Sequence, residues 1–98
     1  MIIKGYELRM TCGMCPEQYD VYRDGVKVGY FRLRHGCFSA EFPDCGWYEV
    51  FYSEDCDGDG AFIDDKEREF FLTKAVDALD DFIKTNHAYP PNKLLRQH

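Results

Sequence analysis

The chain has 98 residues, a net charge of −6 and no apolar run long enough to cross a membrane. That length suits one domain, whose thin core must lean on large aromatic side chains. The acidic balance excludes nucleic-acid binding through a broad basic face, and an odd count of five cysteines without a secretory leader predicts reduced thiols or metal ligands in a cytoplasmic protein.

In chain order, residues 1–10 read as a first strand, and CGMC, Cys12 to Cys15, as a turn. Tyr19 to Arg23 alternates and is rich in β-formers. Asp24–Gly25 follows, then VKVGYFRLRH, and two such runs around Asp-Gly predict a tight hairpin with positive φ at both central residues. Gly36 breaks the pattern, Cys37 to Phe42 is the next strand, Pro43 to Gly46 a turn, and Trp47 to Ser53 another strand. Period-two spacing puts Phe31 with Leu33 on one face, Phe38 with Ala40 and Phe42, and Tyr48 with Val50 and Tyr52.

From Asp65 to Asn86, Phe71, Leu72, Ala75, Val76, Leu79, Phe82 and Ile83 recur in steps of three, four and seven, which predicts an amphipathic helix. Asp64 is its expected N-cap, with Glu67 completing a capping box, and Tyr89-Pro90-Pro91 forbids its continuation. The expected fold is α+β: an antiparallel meander of four or five strands covered by one long C-terminal helix, in a single domain over residues 1–88, with a tail over 89–98.

The charge is polarised along the chain. Residues 1–36 sum to +2, residues 37–83 to −11 and residues 84–98 to +3. The densest part, EDCDGDGAFIDDKERE, begins like a calcium loop: Asp55, Asp57 and Asp59 take the first, third and fifth positions, and Gly60 the sharp-turn sixth. The twelfth position, which needs a bidentate carboxylate, holds Lys66, with Glu67 one residue late. The segment therefore reads either as a strand–loop–helix calcium site completed by Asp64 or Asp65, or as a Gly-rich turn whose Asp side chains bond local amides.

Cys12-Gly-Met-Cys15 has knuckle spacing, and Phe42-Pro-Asp-Cys45-Gly resembles the second half of a zinc ribbon with Phe42 in place of a cysteine. The resemblance implies zinc held by Cys12, Cys15 and Cys45, with Cys37, His35 or Cys56 as fourth ligand. The alternative is a set of partly buried free thiols. No cofactor is required by the sequence; zinc and calcium are its two alternatives.

Tyr30, Arg32 and Arg34 share one strand face, an aromatic and basic stripe of the kind found in RNA-binding sheets and in protein-binding hot spots. Glu41 or Glu49 on neighbouring strands is the expected ion-pair partner of these arginines. His35 and Cys37 are two apart, a spacing that suits contact on one strand face, but a lone Cys–His pair without a pocket predicts no enzyme.

The run PEQYDVYRDGVKVGYFRLRHGCF, with PDCG and GDGAF after it, resembles small uncharacterised proteins of phages and mobile elements of Gram-positive bacteria. The resemblance implies a protein that binds and blocks one host protein, such as a CRISPR nuclease or another defence factor. The expected function is thus a non-enzymatic, acidic protein-binding domain. It meets a basic protein surface through Asp55, Asp57, Asp59, Asp64, Asp65, Glu67 and Glu69, with Tyr30, Arg32 and Arg34 as a second patch. A metal-stabilised module and an RNA-binding sheet are the alternatives.

Overall fold

The structure, a computed structural model, describes residues 1–14 and 16–91. It is an α+β fold with six strands in one antiparallel sheet, and their order in the sheet is their order in the chain. The strands are β1 (Ile2–Ile3), β2 (Tyr6–Gly13), β3 (Glu17–Arg23), β4 (Val26–Arg34), β5 (Cys37–Phe42) and β6 (Tyr48–Ser53); α1 (Asp65–Asn86) follows. No helix among the described residues is long and apolar enough to cross a membrane.

The sheet has six strands rather than four or five because residues 1–10 are not one strand. Ile3 pairs with Tyr6 across a two-residue turn, in which Lys4 and Gly5 have φ of 51° and 85°. The same turn recurs at the predicted Asp24–Gly25 (50° and 79°) and again at His35–Gly36 (53° and 74°). Positive φ at both central residues gives the backbone the twist of the flanking strands, so each turn closes a hairpin without splaying it. His35 therefore lies in a turn and not on the strand face of Cys37.

Of the three register shifts in the sheet, one leaves Thr11 extra between β2 and β3, and the other two set which side chains of β4 and β6 face inward. Between β3 and β4 the register passes from Val21↔Gly29 to Tyr22↔Lys27, leaving Val28 as an extra residue that is wholly buried. Between β5 and β6 it passes from Ala40↔Phe51 to Glu41↔Glu49, leaving Val50 extra. A bulge of this kind shifts the alternation by one residue. Tyr48, Val50 and Phe51 consequently pack against the core, while Tyr52 turns to the open face. The expected common face of Tyr48, Val50 and Tyr52 is corrected on this point.

Helix α1 covers one face of the sheet with Phe71, Leu72, Ala75, Val76, Leu79 and Ile83. Each such side chain contributes on the order of 1.5–3 kcal/mol when taken from water, apart from the smaller alanine. Phe38 is the hub: its ring meets Phe31, Phe51, Phe62 and Phe71 edge-on at centroid distances of 5.4 to 6.2 Å. Phe82 fills the other end against Phe42 and Tyr48. The helix lies close on β4, since a Cβ at Gly29 would stand 3.1 Å from Leu79 Cδ2.

Helix α1 starts and stops by local chemistry. The Asp64 side chain accepts the Glu67 amide at 2.8 Å, and Asp65 and Glu67 suit the positive end of the helix dipole. At the other end His87 turns left-handed and the Ala88 amide donates to the Ile83 carbonyl. Ala88 is buried, and the Tyr89 hydroxyl donates to the Arg23 carbonyl beneath the Arg23 guanidinium. The expected tail over 89–98 lies outside the described residues from position 92 on.

The acidic loop as a candidate binding surface

Residues 54–64 join β6 to α1, and their backbone is fastened at several points. The Gly36 amide donates to the Asp59 carbonyl at 2.8 Å, and the Glu17 amide to the Gly60 carbonyl at 2.7 Å. Phe62 is buried, stacked on Phe71 at 5.9 Å. The Glu67 carboxylate reaches back from the first turn of α1 and accepts three amides: Asp57 at 2.6 Å, Gly58 at 3.1 Å and Ile63 at 3.0 Å. The sequence placed Glu67 in a capping box returning to Asp64; the carboxylate passes over that amide and organises the loop instead.

Beneath the loop lies Glu17, wholly buried. Burial alone pushes its carboxyl upward, but hydrogen bonds from Arg68, Tyr19 and the Phe62 amide outweigh this and hold it below the usual range. Arg68 Nε donates at 2.8 Å and Nη2 at 3.3 Å, the Phe62 amide at 3.1 Å, and the Tyr19 hydroxyl completes the shell. The same carboxylate holds Arg68 further on its protonated side, while burial and Glu17 raise the Tyr19 phenol. Neither Glu17 nor Arg68 belongs to a motif in the sequence. A signal was present: Glu17 continues the inward period of Tyr19 and Val21, and Arg68 continues the apolar stripe of Leu72 and Ala75.

The predicted contact residues divide into two groups. Asp55, Asp57 and Asp59 are exposed on the fastened loop, and none has an ion pair among the described residues. Glu69 is exposed on α1 and lines a shallow groove with Met1, Ile2 and Thr73. Asp64, Asp65 and Glu67 have internal work: Asp64 caps the helix, Glu67 clamps the loop, and Asp65 bonds Arg68 at 2.6 Å.

Tyr30, Arg32 and Arg34 lie on the open face of β4, as expected. Their anticipated carboxylate partners are elsewhere. Glu41 stands opposite Tyr30 and Glu49 opposite Glu41, whereas Arg32 faces Gln18 and Ser39, and Arg34 faces Cys37. Neither arginine makes an ion pair among the described residues. The Tyr30 hydroxyl donates to Gln18. Arg34 and His35 share a depression of about 170 Å³ with Asp59 and Gly60, so the arginine stripe runs up to the acidic loop.

Among the described residues, Cys12, Cys37 and Cys45 do not come together as zinc ligands would. Cys12 is the last residue but one of β2 and Cys37 begins β5, three strand spacings or about 14 Å apart. Cys45 lies beyond the far end of β5, about 20 Å from Cys37 along the strand. Cys15 lies outside the described residues. Among the described residues no three His, Cys, Asp or Glu side chains form a metal-holding group, in the cysteines or in the Asp55–Asp57–Asp59 loop. In that loop Glu67, the nearest substitute for the missing bidentate ligand, has both oxygens on amides. Cys56, between Asp55 and Asp57, has its thiol pushed up to about 12 by burial and by the charges around it.

No protein-family model, curated protein or solved structure matches this chain.

Proposed function

We propose that this chain is a non-enzymatic protein-binding domain that presents a fastened acidic loop to a basic protein surface. Asp55, Asp57 and Asp59 make the central contacts, Glu69 flanks them, and Tyr30, Arg32 and Arg34 form an adjoining patch. One observation carries the reading: three carboxylates stand exposed, with no ion pair among the described residues, on a loop whose backbone is already held by Glu67, Gly36 and Glu17. A loop ordered before association loses little conformational entropy on binding. Its unneutralised charge steers encounter with a positive surface and repels negative ones. A surface that ordinarily holds nucleic acid is the target class such charge suits, and the resemblance to mobile-element proteins makes blockade of a host defence factor the corresponding biological role.

The test is capture from a lysate of a Gram-positive host with the wild-type chain and with the combined Asp55→Lys, Asp57→Lys and Asp59→Lys variant. The wild type should retain a basic protein whose binding weakens with salt. The reversed variant should lose it by on the order of a hundredfold, since facing like charges cost several kcal/mol. An identical captured set at identical affinity would remove the proposal.

A further inference from the structure

The loop acids and the arginines of β4 adjoin at one end of the sheet. Arg34 is exposed and lines a depression with His35, Asp59 and Gly60. Arg32, half-buried, stands two residues earlier on the same strand face, about 7 Å along β4. Its cross-strand neighbours are Gln18 and Ser39, and that of Arg34 is Cys37, so no carboxylate stands directly opposite either guanidinium. Among the described residues neither arginine makes an ion pair, and nor do Asp55, Asp57 and Asp59. Tyr52 lies between the two groups: it is opposite Ser39, its hydroxyl donates to Glu54 at 3.2 Å where the loop begins, and it is half exposed.

The loop is not free to fold onto the arginines. The Gly36 amide holds the Asp59 carbonyl, and Glu67 holds the amides of Asp57 and Gly58. Arg32 and Arg34 are fixed on a strand that lies between β3 and β5. The opposite charges therefore stand side by side. A surface made of adjoining acidic and basic halves is complementary to its own copy: a two-fold axis through the boundary carries each half onto the other, and every contact is made twice.

We propose that this face is a self-association surface: a second copy of the chain docks about a two-fold axis near Tyr52, with Asp55, Asp57 and Asp59 of each copy against Arg32 and Arg34 of the other. The two exposed Tyr52 rings meet near the axis and supply the apolar contact that tyrosine gives at interfaces. Exposed ion pairs are individually weak, and a surface this small belongs with transient interfaces, so the dimer is weak and salt-sensitive. The dimer does not rest on the loop being a site for a basic host protein. One consequence does: a basic partner and the second copy compete for the same three carboxylates.

Sedimentation equilibrium of the full chain, at protein concentrations up to about 1 mM and in about 0.01 M and about 1 M salt, tests the proposal. At low salt the average mass should rise towards twice that of the chain as concentration rises; at high salt it should stay at that of one chain. The Arg32→Glu, Arg34→Glu variant and the Asp55→Lys, Asp57→Lys, Asp59→Lys variant should each remain single at low salt. Mixed in equal amounts, the two should associate one to one, because each reversed patch then meets its opposite. Circular dichroism checks that both are folded, and Arg32→Gln with Arg34→Gln, which should also stay single, replaces an arginine reversal that does not fold. A wild type that stays single at low salt overturns the proposal, as does a dimer that survives the loss of either patch, or a mixture of folded variants that fails to associate. A mass that climbs past two chains overturns the two-fold arrangement. A chain that dimerises yet captures no basic protein from the lysate supports the dimer and refutes the host-protein reading alone; one that captures such a protein but never dimerises does the reverse.

Discussion

Glu17 has no exposed surface, and its charge is tolerated only because four donors from Arg68, Tyr19 and Phe62 converge on it. Removing one member of such a pair leaves an uncompensated buried charge, which costs about 3–5 kcal/mol. Arg68→Met, which keeps the stem and removes the cation, should therefore lose about that much in urea unfolding at neutral pH, a large share of the stability of a small domain. The pH dependence has a definite sign. Glu17 titrates lower in the folded chain than in the unfolded one, so its contribution is complete above the unfolded pKa of about 4.3 and is lost as pH falls through the folded value. In Arg68→Met the burial term acts unopposed by the guanidinium, and the carboxyl takes up a proton at higher pH. The stability gap between wild type and variant should thus narrow between pH 7 and pH 4; a gap that stays constant would mean that Arg68 acts through packing alone. Period and stripe marked these two positions as inward, yet nothing local in the sequence pairs a strand residue with a helix residue 51 positions away.

Among the elements, the loop depends on the helix as much as the helix depends on the loop. Asp64→Ala should cost about 1 kcal/mol, the ordinary worth of an N-cap. Glu67→Ala should act differently: it orphans the amides of Asp57, Gly58 and Ile63, and amide exchange at these three positions should quicken well beyond any change in the rest of α1. Glu67→Gln keeps one acceptor oxygen, so it should restore part of the protection; equal exchange in both variants would count against the clamp. The helix was legible from its apolar steps and its cap because both are local signals. The Asp24–Gly25 hairpin was legible because Asp-Gly accepts positive φ. The same kind of turn at Lys4–Gly5 carries no such signal, since a lysine at that place has no turn preference, and it adds a strand to the sheet. The bulges at Val28 and Val50 were likewise invisible: an inserted valine looks the same as a paired one until the neighbouring strand fixes the register.

Across the whole molecule the charges are sorted by partnership. Lys4 bonds Asp77, Arg9 bonds Glu7, Lys27 bonds Asp20 and Asp44, and Lys84 bonds Asp80, so part of the charge on the sheet and the distal helix is paired, while Glu41, Glu49 and Asp81 make no ion pair among the described residues. The densest unpaired charge is on Asp55, Asp57 and Asp59, and Arg34, which shares a depression with Asp59, makes no ion pair with it among the described residues. The sequence displayed this imbalance as a run of acids but could not separate Glu67, which is structural, from Asp57, which is not. That division yields a stability test independent of any partner. Changing Asp55, Asp57 and Asp59 together to Asn removes like charges that repel one another and breaks no ion pair among the described residues, while the backbone bonds that fasten the loop remain. Each substitution should fall within about 0.5 kcal/mol of neutral, as surface changes do. At low ionic strength the triple variant should be the more stable protein, and the advantage should fade as salt shortens the Debye length to about 10 Å at 0.1 M. Urea midpoints measured at several salt concentrations decide the matter. A triple variant less stable than the wild type at every ionic strength would mean that these carboxylates hold the loop together, and so are not surplus charge held ready for a partner.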